Sequence, residues 1–161
     1  MSEFSLSWTL SRQRLVDTIS DLNDEQLSWR IYGKSLSIGQ MAVHVAGVET
    51  LFVSQLLGLE LDTEASRLRS SATDGVVNDK PFPYSDSELT AARVAELMGI
   101  GKGLVEPVIT DPTEAVLKKE IVSALGPVIT GEGAFTRLAF HPAYHQGQAY
   151  LIRTSPGFPG A

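Results

Sequence analysis

The sequence predicts an all-α protein, specifically a four-helix bundle with a long connection between its second and third helices. Four segments repeat apolar residues at the helical period, and two of them begin with a capping-box pattern. The chain has 161 residues and shows no internal repeat. That length suits one domain with one core, so we expect residues 1–161 to form a single domain.

The first two helices follow from apolar periodicity and from their start and stop signals. The first is expected over about residues 5–22, with one apolar stripe, and residues 23–25 break it. The second begins at a capping box, in which Ser37 and Gln40 each satisfy a backbone N–H of the other residue. Gly58 is expected to end it, because glycine readily adopts the left-handed conformation of a helix end.

The third helix is expected after an unusually long connection. Residues 60–84 are polar and rich in turn signals, which fits either a crossover along the bundle or a lid over a site. A second capping box, Ser85 with Glu88, predicts that the third helix opens there and runs to about Leu104. Three glycines weaken its last turns and would be explained by close packing of another element: Gly99, Gly101 and Gly103.

The last third of the chain holds one ambiguous segment and the fourth helix. Residues 108–131 fit either a short hairpin or an irregular loop. The fourth helix is expected over about residues 132–153, although Pro142 lacks a backbone N–H and crowds the preceding turn. We therefore expect a kink at Pro142, or a helix that becomes regular only from that residue.

Composition excludes several classes of partner. The net charge of −6 and the absence of a basic stripe argue against nucleic acid. The most apolar segment, residues 38–59, carries polar side chains and fits a buried helix better than a membrane span. Cysteine is absent and no signal-peptide pattern is visible, so we expect a cytoplasmic protein without disulfides or protein thiolates.

The three histidines of the chain are the candidate metal ligands. His141 and His145 are four residues apart and would share one helix face, a spacing that fits a shared ion and a structural pair equally well. His44, on the second helix, would by itself fit a hydrogen-bonded core histidine better. Together the three supply one set of neutral imidazoles from two helices. Three such ligands with a fourth position open are typical of a catalytic zinc-type site.

Other residues near the histidines allow two interpretations. Gln148 lies on the face of His145 and would either bond an imidazole or a water, or simply be polar at the bundle end. Tyr144 is expected to pack. Glu49 falls on a different face from His44, and the motif lacks the glutamate of H-E-x-x-H, so no general base is assigned.

The chain resembles a known family. His44 lies on a helix opened by Ser-Ile-Gly-Gln-Met, and the C-terminal motif is His-Pro-Ala-Tyr-His-Gln-Gly-Gln. Both are similar to the DinB-like family of damage-inducible proteins, which includes the bacillithiol and mycothiol S-transferases. The resemblance covers most of the chain. It implies a four-helix bundle, usually a homodimer, with a divalent ion bound at the positions of His44, His141 and His145.

These features predict a metal-dependent thiol S-transferase or hydrolase that acts in detoxification or the stress response. The substrate would be a small molecule, with a low-molecular-weight thiol as the nucleophile. Zn and Ni are the first candidates for the ion, followed by Fe and Mn. The alternatives are a non-catalytic metal-binding stress protein, in which the ion stabilises the bundle or dimer, and a metal-free helical scaffold.

Overall fold

The computed structural model describes residues 1–160 and is mostly helical, at 61% helix, which confirms the broad all-α class. Within those residues there are seven helices and one two-stranded sheet. The helices are α1 (Glu3–Ile19), α2 (Asp24–Ser28), α3 (Ile38–Leu57), α4 (Thr63–Ser70), α5 (Ala91–Thr110), α6 (Glu114–Lys118) and α7 (Gly131–Arg153). The strands are β1 (Glu120–Val122) and β2 (Val128–Thr130).

Four long helices build the core. Helix α1 packs against α7 and α5, and α3 packs against α5 and α7. Every residue of α3 from Ile38 to Thr50 is buried, so this helix is the central element. In the part of the chain that the structure describes, no helix combines the length and apolarity needed to cross a bilayer.

The predicted caps of α3 are confirmed. The Ser37 side chain accepts from the Gln40 amide, and the Gln40 side chain accepts from the Ser37 amide. Gly58 ends the helix in the left-handed conformation, at φ +66°. The segment expected only to break the first helix instead opens the short helix α2 with a capping box. The Asn23 side chain accepts from the Gln26 amide, and the Gln26 side chain accepts from the Asn23 amide.

The predicted opening of the third helix at Ser85 is wrong. Helix α5 begins at Ala91, and the Thr90 side chain caps it by accepting from the Arg93 amide. The Ser85 hydroxyl donates to the Glu88 carboxylate at 2.9 Å, and the Glu88 amide, which a cap would bind, donates to the Ser85 carbonyl instead. The backbone there forms an isolated turn, closed by the Glu88 amide and the Ser85 carbonyl, and α5 then runs beyond the expected end.

The two segments left open in the sequence each contain regular structure. The connection at residues 60–84 includes α4, which is capped by the Asp62 side chain. This helix buries only Leu68 and therefore needs no apolar stripe. In residues 108–131 the hairpin interpretation is confirmed. Strands β1 and β2 pair antiparallel around a turn that contains Gly126 at φ +98°.

Helix α7 is continuous through Pro142, so the expectation of a helix regular only from Pro142 onward is wrong. The preceding turns are held by packing, since Phe135 and Leu138 are almost fully buried. Thr130 caps the start, and the Gly131 amide donates to the Lys119 carbonyl at 2.8 Å. These contacts offset the one backbone hydrogen bond that proline removes.

Of the three glycines in α5, only Gly101 has the predicted close neighbour. A Cβ there would overlap the Glu49 carboxylate and lie 3.0 Å from the Ala46 Cα. That carboxylate is fixed in the core, because it accepts from Trp8 Nε1 at 2.9 Å and from Arg12 Nε at 3.0 Å. Gly101 therefore allows α5 to approach α3 at a buried ion pair.

We expect Gly101→Ala to lower the free energy of unfolding by about 1–3 kcal/mol, because the added methyl overpacks the core. Gly103→Ala is the matched control. No atom of residues 1–160 outside its own helix turn lies within 4 Å of a Cβ at Gly103. The control should gain about 0.5–1 kcal/mol from helix propensity. Urea denaturation measures both, and equal stabilisation of the two variants would contradict the close approach at Gly101.

Candidate metal centre

Three histidines from two helices meet at one point, as the sequence predicted. His44 comes from α3, and His141 and His145 come from successive turns of α7. One ring nitrogen of each lies within 4.8 Å of the others. The ring centroids are 4.9 Å apart for His44 and His141, 5.0 Å for His44 and His145, and 4.6 Å for the α7 pair.

The packing of α3 on α7 places these rings inside the protein. His44 is 4% exposed and His145 is 6% exposed, while His141 is partly buried. Residues one and two turns further along the same face of α7, Ala149 and Ile152, are buried as well. The i,i+4 spacing therefore points both α7 histidines inward toward α3.

Hydrogen bonds fix the proton position on two of the rings. His44 Nδ1 lies 2.9 Å from the Ser71 carbonyl oxygen, and His145 Nδ1 lies 2.8 Å from Gln148 Oε1. A carbonyl or amide oxygen only accepts, so each of these bonds requires the tautomer in which Nδ1 carries the proton. In a neutral ring this leaves Nε2 with a free lone pair, which is the form that binds a metal.

The third ring completes a set of nitrogens that face one another. His141 Nε2 lies 3.0 Å from His145 Nε2, close to the separation of about 3.3 Å that two ligands have around a tetrahedral zinc ion. His141 Nδ1 is buried and has no hydrogen-bond partner within residues 1–160. The cluster, as far as the described residues show, includes no carboxylate. The donor set fits one divalent ion with a fourth position left for another ligand.

Burial keeps the three rings neutral. Burial, together with the smaller effects of the adjacent His145 and His44, lowers the pKa of His141 to about 2. Burial and the smaller effect of His44 lower the pKa of His145, against the opposing bond to Gln148, to about 4. The pKa of His44 is also lowered by burial, against a smaller opposing effect of its bond to Ser71. Protons therefore compete weakly with a metal for these nitrogens.

Of the other residues considered in the sequence, Gln148 and Tyr144 contact His145, whereas Glu49 does not contact the histidines. Gln148 bonds His145, as one of its two interpretations required. Tyr144, expected to pack, is 51% exposed and sets its ring edge-on to His145 at a centroid distance of 5.1 Å. Glu49 bonds Trp8 and Arg12.

The sequence prediction did not include Ser71, whose carbonyl orients His44. It follows α4, in a stretch whose sequence is predominantly polar and rich in turn signals. The Asp62 cap was a usable signal for α4, since Asp before a run of helix-forming residues favours a helix start.

We expect acidification to destabilise the metal-free protein. Histidine in the unfolded chain has a pKa of about 6.5, whereas the folded values for His141 and His145 are lower. Below about pH 6.5 the unfolded state binds more protons, so stability present at neutral pH is lost as the pH falls.

Urea denaturation at about pH 7 and about pH 5 measures this loss. His141→Gln removes one of the shifted groups and should show a smaller loss between the two pH values than the wild type. An equal loss in both proteins would contradict a contribution from His141.

Comparison with known protein families adds one finding. A family model described as mycothiol S-transferase matches residues 6–156, a range that includes all three histidines. A search of curated proteins found no match. Because the family model spans nearly the whole chain, the protein belongs to the mycothiol S-transferase family, a DinB-like family related to thiol S-transferases.

Proposed function

We propose that this protein is a metal-dependent S-transferase that joins mycothiol to a small organic electrophile, as a detoxification or stress-response reaction. The observation that carries the proposal is the family match over residues 6–156, whose matched range contains the histidine cluster. We include in the proposal that α1, α3, α5 and α7 act as a DinB-type four-helix bundle. The resemblance to DinB-like proteins also supports a homodimer.

The ligands would be the Nε2 atoms of His44, His141 and His145. Ser71 and Gln148 support this assignment, because they hold the Nδ1 protons of His44 and His145. When bound, a divalent ion would supply a Lewis acid that lowers the pKa of a coordinated thiol. Zn and Ni suit three imidazoles best among the candidates, with Fe and Mn next.

The sulfur nucleophile has to come from the substrate. The chain contains no cysteine, so no protein thiol can form a covalent intermediate. In the transfer, the thiol gives up its proton and a sulfur lone pair forms a C–S bond. The C–O bond of an epoxide, or the C–halogen bond of a halide, breaks at the same carbon. The leaving oxygen or halide takes the electron pair. The epoxide oxygen also takes a proton, whereas with a halide the thiol proton is released to solvent.

The second candidate function is a non-catalytic, ion-stabilised stress protein. The burial of His44 and His145 favours it, because one ion between them would cross-link α3 and α7. A ligand that binds only the folded state stabilises that state. This candidate therefore predicts a lower melting temperature after chelation, with no turnover under any condition.

The transferase proposal predicts metal-dependent conjugation of mycothiol. The zinc- or nickel-loaded protein should conjugate mycothiol to chlorodinitrobenzene or to a model epoxide faster than it conjugates glutathione or cysteine. A chelator should abolish the reaction. We expect His145→Gln to lose at least about 100-fold in rate, because an ion with two protein ligands is poorly held. Product formation is followed by absorbance or mass spectrometry.

Gly103→Ala serves as the control and should retain the wild-type rate, because Gly103 lies on α5, which carries none of the three histidines. Consumption of the epoxide without any thiol would indicate a hydrolase instead. A metal-loaded, folded protein that turns over no thiol and no epoxide, yet melts at a lower temperature after chelation, would contradict the transferase and support the second candidate.

A further inference from the structure

Helix α3 and the end of α4 are in backbone contact directly behind His44. Gly47 lies three residues after His44 and so on the same side of α3. A Cβ at Gly47 would overlap the Ser71 hydroxyl, and it would lie 2.7 Å from the Leu68 carbonyl oxygen and 2.8 Å from the Ala72 amide nitrogen. Two of these three atoms belong to the backbone and cannot rotate away, so only glycine permits this approach.

Ser71 is held rigidly in that contact. It is fully buried, and its hydroxyl lies 2.6 Å from the Leu68 carbonyl oxygen and 3.1 Å from that of Val43 in α3. As the residue that ends α4, Ser71 has a carbonyl with no acceptor role inside the helix. That carbonyl accepts instead from His44 Nδ1 at 2.9 Å.

We infer that Gly47 and Ser71 are positioning residues for His44, an inference that rests on the proposed role of His44 as a metal ligand. The contact at Gly47 brings the Ser71 carbonyl within hydrogen-bond distance of the ring. The carbonyl keeps the proton on Nδ1 and so leaves Nε2 free on the side of His141 and His145. It also lies at the C-terminal end of α4, where the helix dipole favours the positive charge that a bound ion places on an imidazole.

The identity of the crowding atoms distinguishes Gly47 from an ordinary packing glycine. Gly131 is crowded too, but by the Val116 carbonyl of α6, and Gly101 by Glu49. At Gly47 the crowding atoms belong to Ser71, to Ala72 next to it, and to Leu68, whose carbonyl accepts from the Ser71 hydroxyl. A displacement there would move the acceptor of the His44 proton.

The first test uses the metal-free wild-type protein and needs no variant to fold. Nitrogen-15 NMR of the imidazoles distinguishes a ring protonated at Nδ1 from one protonated at Nε2. We expect His44 to show the Nδ1–H form, with a proton shifted by a hydrogen bond. A His44 ring protonated at Nε2 would overturn the inference. Because this readout involves no metal, it separates the two claims: a wild type that binds no zinc would overturn the proposed function, whereas an Nε2–H ring would overturn the positioning of His44 by Ser71.

The second test compares Gly47→Ala with Gly147→Ala, using zinc alone as the probe. Gly147 is also inside a helix of the site, but no atom of the described chain beyond its own helix turn lies within 4 Å of a Cβ there. We expect Gly47→Ala to weaken zinc binding by about 10–100-fold and to lose the Nδ1–H preference of His44, while Gly147→Ala keeps both.

Affinity is measured by competition with a chromophoric chelator, and circular dichroism checks that each variant is folded. Wild-type affinity in folded Gly47→Ala would overturn the inference. So would weaker affinity with an unchanged His44 spectrum, because the loss would then come from packing rather than from the orientation of the ring. If Gly47→Ala does not fold, the tautomer of His44 in the wild type decides the question.

Discussion

The close packing of three neutral imidazoles is the constraint on which the rest of the structure depends. Their ring nitrogens lie within 4.8 Å of one another, and burial lowers the pKa of each ring. A divalent ion held by three neutral rings keeps its full positive charge. Such a site favours an anionic fourth ligand, and a thiolate is one. This electrostatic preference agrees with membership of a family of thiol transferases.

The helices packed around α3 hold the three imidazoles close together. One histidine comes from α3 and two from α7, so a small shift between these helices would separate the rings. On the other side of α3, the buried Glu49 carboxylate bonds Trp8 and Arg12 of α1 and lies against Gly101 of α5. Breaking a buried ion pair by removing one partner is costly, so this group fixes three helices relative to one another. At the end of α4, the Ser71 carbonyl oxygen lies 2.9 Å from His44 Nδ1 and orients the ring.

The sequence predicted well wherever one local pattern had one physical meaning. The Ser37–Gln40 box, the Gly58 end of α3 and the convergence of His44, His141 and His145 are all found in the structure. The Ser85–Glu88 pattern failed as a helix start: the Glu88 carboxylate does accept from the Ser85 amide, but the Glu88 amide donates to the Ser85 carbonyl and closes only an isolated turn. Helix α4 was missed because it buries only Leu68 and so has no apolar stripe. The role of Ser71 depends on that helix and on a long-range contact with α3, and local sequence patterns carry no information about such a contact.

X-ray absorption spectroscopy of the metal-loaded protein tests the central claim most directly, since it reports the atoms around the ion itself. For bound zinc, the account predicts three imidazole nitrogens at about 2.0–2.1 Å and one further light atom from solvent, with no protein sulfur or carboxylate. Addition of mycothiol should replace the light atom by sulfur at about 2.3 Å. A first shell with fewer than three imidazoles, or one unchanged in His44→Ala and His145→Ala, would contradict the three-histidine site.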